Sequence, residues 1–134
     1  MNVRITAEAN LNPTEDEAKV RRALLNIFPE GKVQKITKPD GVELIRINGS
    51  SMIFLGEFRR LLKQDKIRDT ARKVLLARIE GERITLCLNK QAAFAGHASF
   101  CAAVGESPQG PITIQIETPK PEEVVDYLTA RHGQ

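Results

Sequence analysis

Aromatic side chains are scarce in this chain: five Phe, one Tyr and no Trp among 134 residues. Reading bases by stacking needs exposed aromatic platforms, so the scarcity counts against stacking-driven recognition. No apolar run approaches the roughly 18 residues of a membrane-spanning helix, and no membrane partner is expected. The amino terminus, MNVRITAEAN, alternates apolar and polar residues at once and lacks the apolar centre of a signal peptide. A cytoplasmic location is the default expectation. Two cysteines without clustered histidines do not make a zinc site. Cys87 and Cys101 are read as small buried hydrophobes; they come close if the strands around them pair, but a reducing cytosol keeps thiols free.

Catalytic signatures are missing too. No nucleophile motif surrounds a Ser or Cys, and the stretch Gly105 to Gly110 has neither a G-x-G run nor the Lys-Ser/Thr pair of a phosphate loop. The two histidines, His97 and His132, lie far apart in sequence. The one dense acidic cluster, Glu15-Asp16-Glu17, is explained by the positive end of a helix dipole. No enzyme activity, metal or small-molecule cofactor is expected.

What is present fits one domain spanning residues 1–134, with an ordinary apolar content and enough length for one core. The formal net charge is only +3, but its distribution is uneven. Arg59 to Lys73 holds seven Lys/Arg against two Asp, and Gly105 to the end holds five acids against two bases. A basic middle and an acidic tail region predict a polarised molecule.

Period-two alternation predicts a strand over Asn2 to Leu11, with Val3, Ile5, Ala7, Ala9 and Leu11 on one face. Asn12 before Pro13 suits a helix N-cap, with Thr14 and Glu17 as an alternative capping box. Val20, Ala23, Leu24 and Ile27 form the inward stripe, and Arg21 and Arg22 beside it are read as solvated. Lys32 to Thr37 and Val42 to Asn48 read as strands joined by the Lys38-Pro39-Asp40-Gly41 turn. Phe54, Leu55, Phe58, Leu61 and Leu62 share one helical face. Ile67, Ala71, Val74 and Leu75 form a second stripe, out of phase with the first. A break near Gln64-Asp65-Lys66 therefore divides two helices, with Asp65 as cap of the second. Strands follow at Ile84 to Leu88, Ala98 to Val104 and Pro111 to Thr118. A short capped turn runs from Asn89 to Gly96, and a last helix packs Val124, Val125 and Leu128. The order predicts an α+β domain with a mostly antiparallel or mixed sheet and helices packed on one face.

Two places suit an anionic partner. Arg59, Arg60 and Lys63 fall opposite the apolar stripe and are expected to face solvent. Arg68 and Arg72 share one flank of the next helix, and Lys66 and Lys73 the other. Several cations at spacings a polyanion can span release counterions on binding, and Arg offers paired donors to phosphate. The plain alternative is a solvated basic face, with Asp65 and Asp69 pairing neighbours. The second place is Asn89-Lys90-Gln91-Ala92-Ala93. A short helix after a strand exposes N–H groups, Lys90 adds charge, and Gln91 can reach a ribose hydroxyl or base edge. Here the alternative is a tight crossover whose alanines simply pack.

With these residues in view, the chain resembles an archaeal family of small proteins grouped under RNA binding. The resemblance rests on Pro13-Thr14-Glu15, Asn26-Ile27-Phe28-Pro29 and Ile67-Arg68-Asp69-Thr70-Ala71-Arg72. It continues through Leu88-Asn89-Lys90-Gln91-Ala92-Ala93-Phe94 to Gly96 and Phe100, and through Gly110-Pro111-Ile112. It covers nearly the whole chain in order, with little carried by Val33 to Met52. It implies a fold similar to large-subunit ribosomal protein L-five, and no catalytic residues. Tyr127 stands where the family pattern suggests Trp, and His97 where Lys or Arg is frequent, so a cation there depends on pH.

The expectation is non-enzymatic binding of structured RNA, ribosomal or other non-coding, by phosphate and shape contacts rather than stacking. The candidate contacts are Arg59, Arg60, Lys63, Arg68, Arg72, Asn89, Lys90 and Gln91. The alternative is a protein-interaction module acting as a homodimer without nucleic acid.

Overall fold

A computed structural model of the chain describes residues 2–101 and 110–130. The first strand, β1 (Arg4–Leu11), leads into α1 (Glu17–Ile27), then the hairpin β2 (Lys32–Thr37) and β3 (Glu43–Gly49). A 3-10 turn (Met52–Leu55) runs into α2 (Gly56–Gln64), followed by α3 (Arg68–Ala77). Then come β4 (Ile79–Glu80), β5 (Arg83–Leu88), α4 (Lys90–Phe94), β6 (Ile112–Glu117) and α5 (Pro121–Thr129). The strands form one antiparallel sheet in the order β2-β3-β1-β6-β5-β4.

Register explains the core. Ile5 lies opposite Ile116, Ala7 opposite Ile114 and Ile47, and Ala9 opposite Ile112 and Ile45. Ile84, Leu86 and Leu88 continue the same rows across β5. These side chains form one buried cluster with the apolar stripes of α1, α2, α3 and α5. The opposite face carries Thr6, Glu8, Arg46, Gln34, Thr85 and Gln115, as a one-sided antiparallel sheet requires. Leu44 resolves the poor alternation of β3: Ile45 and Ile47 point inward, and Leu44 is buried although it lies on the other face. Phe28 stacks on Phe54 with centroids 4.9 Å apart, and Phe54 lies against Gly31 and Gly49, where any Cβ would collide with it.

The two helical stripes break where their phases demand. Helix α2 ends at Gln64, Lys66 takes a left-handed φ of 57°, and α3 begins at Arg68. Asp65 does not cap α3. Its carboxylate accepts from the Ala98 N–H at 2.9 Å and bonds His97 Nδ1 at 3.0 Å, so it ties the break to the exit of α4. The start of α1 also differs from expectation. Asp16 is the N-cap, accepting from the Ala18 N–H at 2.9 Å, while Asn12 donates to Glu15 from both its backbone and its side chain. The two-residue strand β4 was too short to announce itself by alternation. The expected strand from Ala98 survives as a bridge between Phe100 and Leu88 and a Cys101 N–H donating to the Cys87 carbonyl at 3.1 Å. Cys87 and Cys101 thus lie opposite each other without a disulfide, Cys87 buried as expected and Cys101 only half-buried. The rest of that strand and His132 lie outside the described residues.

Candidate nucleic-acid interface

Helix α5 decides the fate of the arginines. The last carbonyls of a helix lack intrahelical partners and carry the negative end of its dipole. Arg59 donates from Nε to the Tyr127 carbonyl at 2.9 Å, with its guanidinium 5.0 Å from the Tyr127 ring centre. Arg68 donates to the Ala130 carbonyl at 2.7 Å. Both are half-buried. Charge-assisted bonds of this kind contribute roughly 1.5–3 kcal/mol each, so they are not readily given up to a ligand. Arg72, on the same flank, pairs with Asp126 at 2.7 Å. The basic stretch and the acidic C-terminal helix are therefore neighbours, and the expected polarisation is partly cancelled across the α3–α5 contact.

The outward side of α2 differs. Arg60 is exposed and paired with Glu57 at 2.7 Å, and its side chain also donates to Gln64 at 2.9 Å. The Arg60 hydrogen bond holds the Glu57 carboxyl below the usual carboxylate range. An exposed pair such as this contributes little and opens readily to a competing phosphate. The side chains of Lys63 and Lys66 are exposed with no partner among the described residues. The Lys66 N–H donates to the Lys63 carbonyl at 3.1 Å, which seats the two on one turn. Arg60, Lys63 and Lys66 thus recur every third residue and are all exposed, a short cationic ridge that runs from α2 into the break. The sequence reading named Lys66 only as a flank residue; its left-handed backbone, which holds it at the break, has no signature in residue type.

Helix α4 is built as expected and used differently. Asn89 is its N-cap, accepting from the Ala92 N–H at 2.8 Å, and Gly96 ends the turn with φ 87°. Lys90 is not a free cation. It is 4% exposed, donates to the Asn10 carbonyl at 2.8 Å and pairs with Glu15 at 3.0 Å. That assignment is corrected: burial with a carboxylate partner removes Lys90 from any anion site. Glu15 likewise serves this pair rather than the helix dipole. The alanines pack as the plain alternative holds, since Ala93 is buried and Asn26 on α1 donates to the Ala93 carbonyl at 2.9 Å. Gln91 remains exposed. Between α1 and α4 lies a cleft of about 360 Å³ whose walls include Lys19, Val20, Gln91 and Phe94.

The eight candidates therefore divide. Arg60 and Lys63 share the outward ridge, Arg59, Arg68 and Arg72 face α5, and Asn89, Lys90 and Gln91 sit at α4. Among the described residues no group of three or more His, Cys, Asp or Glu is arranged to hold a metal, and no helix is long and apolar enough to cross a membrane.

Fold and surface together describe an α+β protein with a cationic ridge suited to a polyanion. The chain belongs to the RNA-binding family, whose model, described as RNA binding, matches residues 4–118. It is 40% identical over 129 residues to a UPF0201 protein of Sulfolobus acidocaldarius, covering 96% of this chain and 88% of that one. A UPF0201 protein of Aeropyrum pernix is 38% identical, with 94% and 84% covered. The crystal structure of a UPF0201 protein from Methanococcus jannaschii superposes with a TM-score of 0.82 at 28% identity, covering 96% of this chain and 94% of the other. Membership of the family that the sequence resembles is borne out, and the family is described as RNA binding.

Proposed function

We propose that this protein binds folded RNA in the cytoplasm, residues 1–134 acting as one domain, by phosphate and groove-shape contacts. The contacts come from Arg60, Lys63 and Lys66, with Arg72 joining when its exposed pair with Asp126 opens. The observation that carries this reading is the ridge: three cations at three-residue spacing, two of them without partners among the described residues. A cation that is already solvated and unpaired loses no protein partner when it meets a phosphate, and it releases that phosphate's counterion. Family membership supports the RNA part. The implied likeness to ribosomal protein L-five makes ribosomal RNA the first folded RNA to test.

Charge reversal tests the ridge. The double change Lys63→Glu/Lys66→Glu replaces two exposed side chains that have no partner among the described residues, so its melting temperature stays near that of the parent. Affinity for folded RNA falls by roughly tenfold or more, the scale of losing two phosphate contacts and adding repulsion. The rival reading, a homodimer without nucleic acid, expects self-association in the absence of RNA and no response to this reversal. Unchanged RNA affinity in the double variant contradicts the proposed contact face.

A further inference from the structure

Of five phenylalanines, Phe28, Phe54 and Phe58 are buried and Phe100 is half-buried, but Phe94 is 44% exposed. The other large exposed apolar side chains among the described residues are Val42, Ile53 and Leu76, none of them aromatic and none lining the α1–α4 cleft. Phe94 lines that cleft, whose volume of about 360 Å³ lies at the small end of the range for ligand pockets, roughly 300–1,000 Å³. Its backbone is fixed from below, since Asn26 donates to the Phe94 carbonyl at 3.1 Å. An exposed ring that lines a cleft from a tethered backbone offers a stacking platform, and a base presents a π-face whatever its identity.

The charges around the ring suit a nucleotide. Lys19 Nζ lies 5.8 Å from the Phe94 ring centre, near the outer limit of about 6 Å for a cation–π contact. This long, exposed lysine can leave the ring to a base and turn to that nucleotide's phosphate. The lining also holds the Lys90–Glu15 pair, whose charges cancel, and Asp16, whose carboxylate is engaged by the Ala18 N–H at the start of α1, so the interior suits a neutral heterocycle and Lys19 is the cation placed to meet a phosphate. Gln91, exposed at the rim, offers both an amide donor and an acceptor to a base edge. The chain that leaves α4 leads from the cleft to the ridge's end of the molecule. Phe94 is three residues before His97, and Asp65 joins His97 and Ala98 to the α2–α3 break next to Lys66.

We propose that the α1–α4 cleft receives one unpaired nucleobase of the bound RNA, stacked on Phe94, with Lys19 taking the adjacent phosphate and Gln91 the base edge. This rests on the RNA-binding reading and adds to it a preference for RNA with an extruded base. The test uses the full chain and two RNAs at one salt concentration: a blunt duplex, and the same duplex carrying a single bulged fluorescent adenine analogue. The parent protein binds the bulged RNA more tightly and quenches the analogue. Phe94→Ala removes the quench and about tenfold of affinity for the bulged RNA, the scale of one base–aromatic stack, while duplex binding stays unchanged. Phe94→Tyr keeps both. Lys63→Glu/Lys66→Glu weakens both RNAs alike. If Phe94→Ala weakens both RNAs equally or neither, or if the analogue's emission is unaffected, the cleft assignment is overturned while RNA binding stands. If Phe94→Ala instead abolishes self-association of the protein, the ring is a protein contact and the assignment is likewise overturned. Binding of neither RNA by the parent overturns both readings.

Discussion

At the scale of single residues, the Lys90–Glu15 pair shows how the fold reassigns charge. Each side chain is 5% exposed, and the two lie 75 positions apart in sequence. Taking either charge out of water is expensive, and the arrangement is tolerable because Lys90 also donates to a carbonyl while Glu15 also accepts from Asn12. Lys90→Met strands the Glu15 carboxylate and is expected to cost about 3–5 kcal/mol in urea unfolding. The double change Lys90→Met/Glu15→Leu recovers most of that loss, because no unpaired charge is left behind. A single variant as stable as the parent contradicts the pairing. Nothing local in the sequence marked this pair: Glu15 had a sufficient explanation in the helix dipole, and Lys90 stood at a helix start where cations are free to meet anions. The same holds for Arg59 and Arg68, whose carbonyl partners are 68 and 62 positions away.

At the scale of elements, whatever depends on local pattern was legible. Stripe phase alone located the α2–α3 break, because apolar faces that do not align cannot belong to one straight helix. Lys38-Pro39-Asp40-Gly41 announced the hairpin, and Gly41 takes the expected positive φ of 89°. Elements that rest on tertiary partners were not legible, among them β4, which pairs with β5, and the true role of Asp65. Burial pushes the Asp65 carboxyl up, but hydrogen bonds from His97, the Ala98 N–H and Gln64 outweigh it and the net shift is downward. A carboxyl held down in the folded state contributes stability above its ordinary value and loses it as pH falls through the lowered one. Asp65→Asn is therefore expected to be less stable than the parent at neutral pH, with the gap closing as pH falls below about 4. Urea midpoints at several pH values read this directly; two curves that stay parallel into acid contradict it.

At the scale of the whole molecule, the α+β class and the one-sided placement of helices followed from alternating strands and amphipathic helices. Strand order did not, because which edge a hairpin joins is settled by packing rather than by any one segment. Charge distribution was half legible. The excess of cations between Arg59 and Lys73 was visible, but α5 draws three arginines to its own side and leaves a narrower ridge of Arg60, Lys63 and Lys66. The low aromatic content was a sound argument against a surface built on stacking, yet composition does not reveal that one ring stands exposed beside a cleft. The most direct test is the salt dependence of affinity for folded RNA. With about four phosphates engaged by the three ridge cations and Arg72, log K against log salt falls with a slope of about −3 to −4. A flat response to salt contradicts a phosphate-contacting ridge and with it the proposed mode of binding.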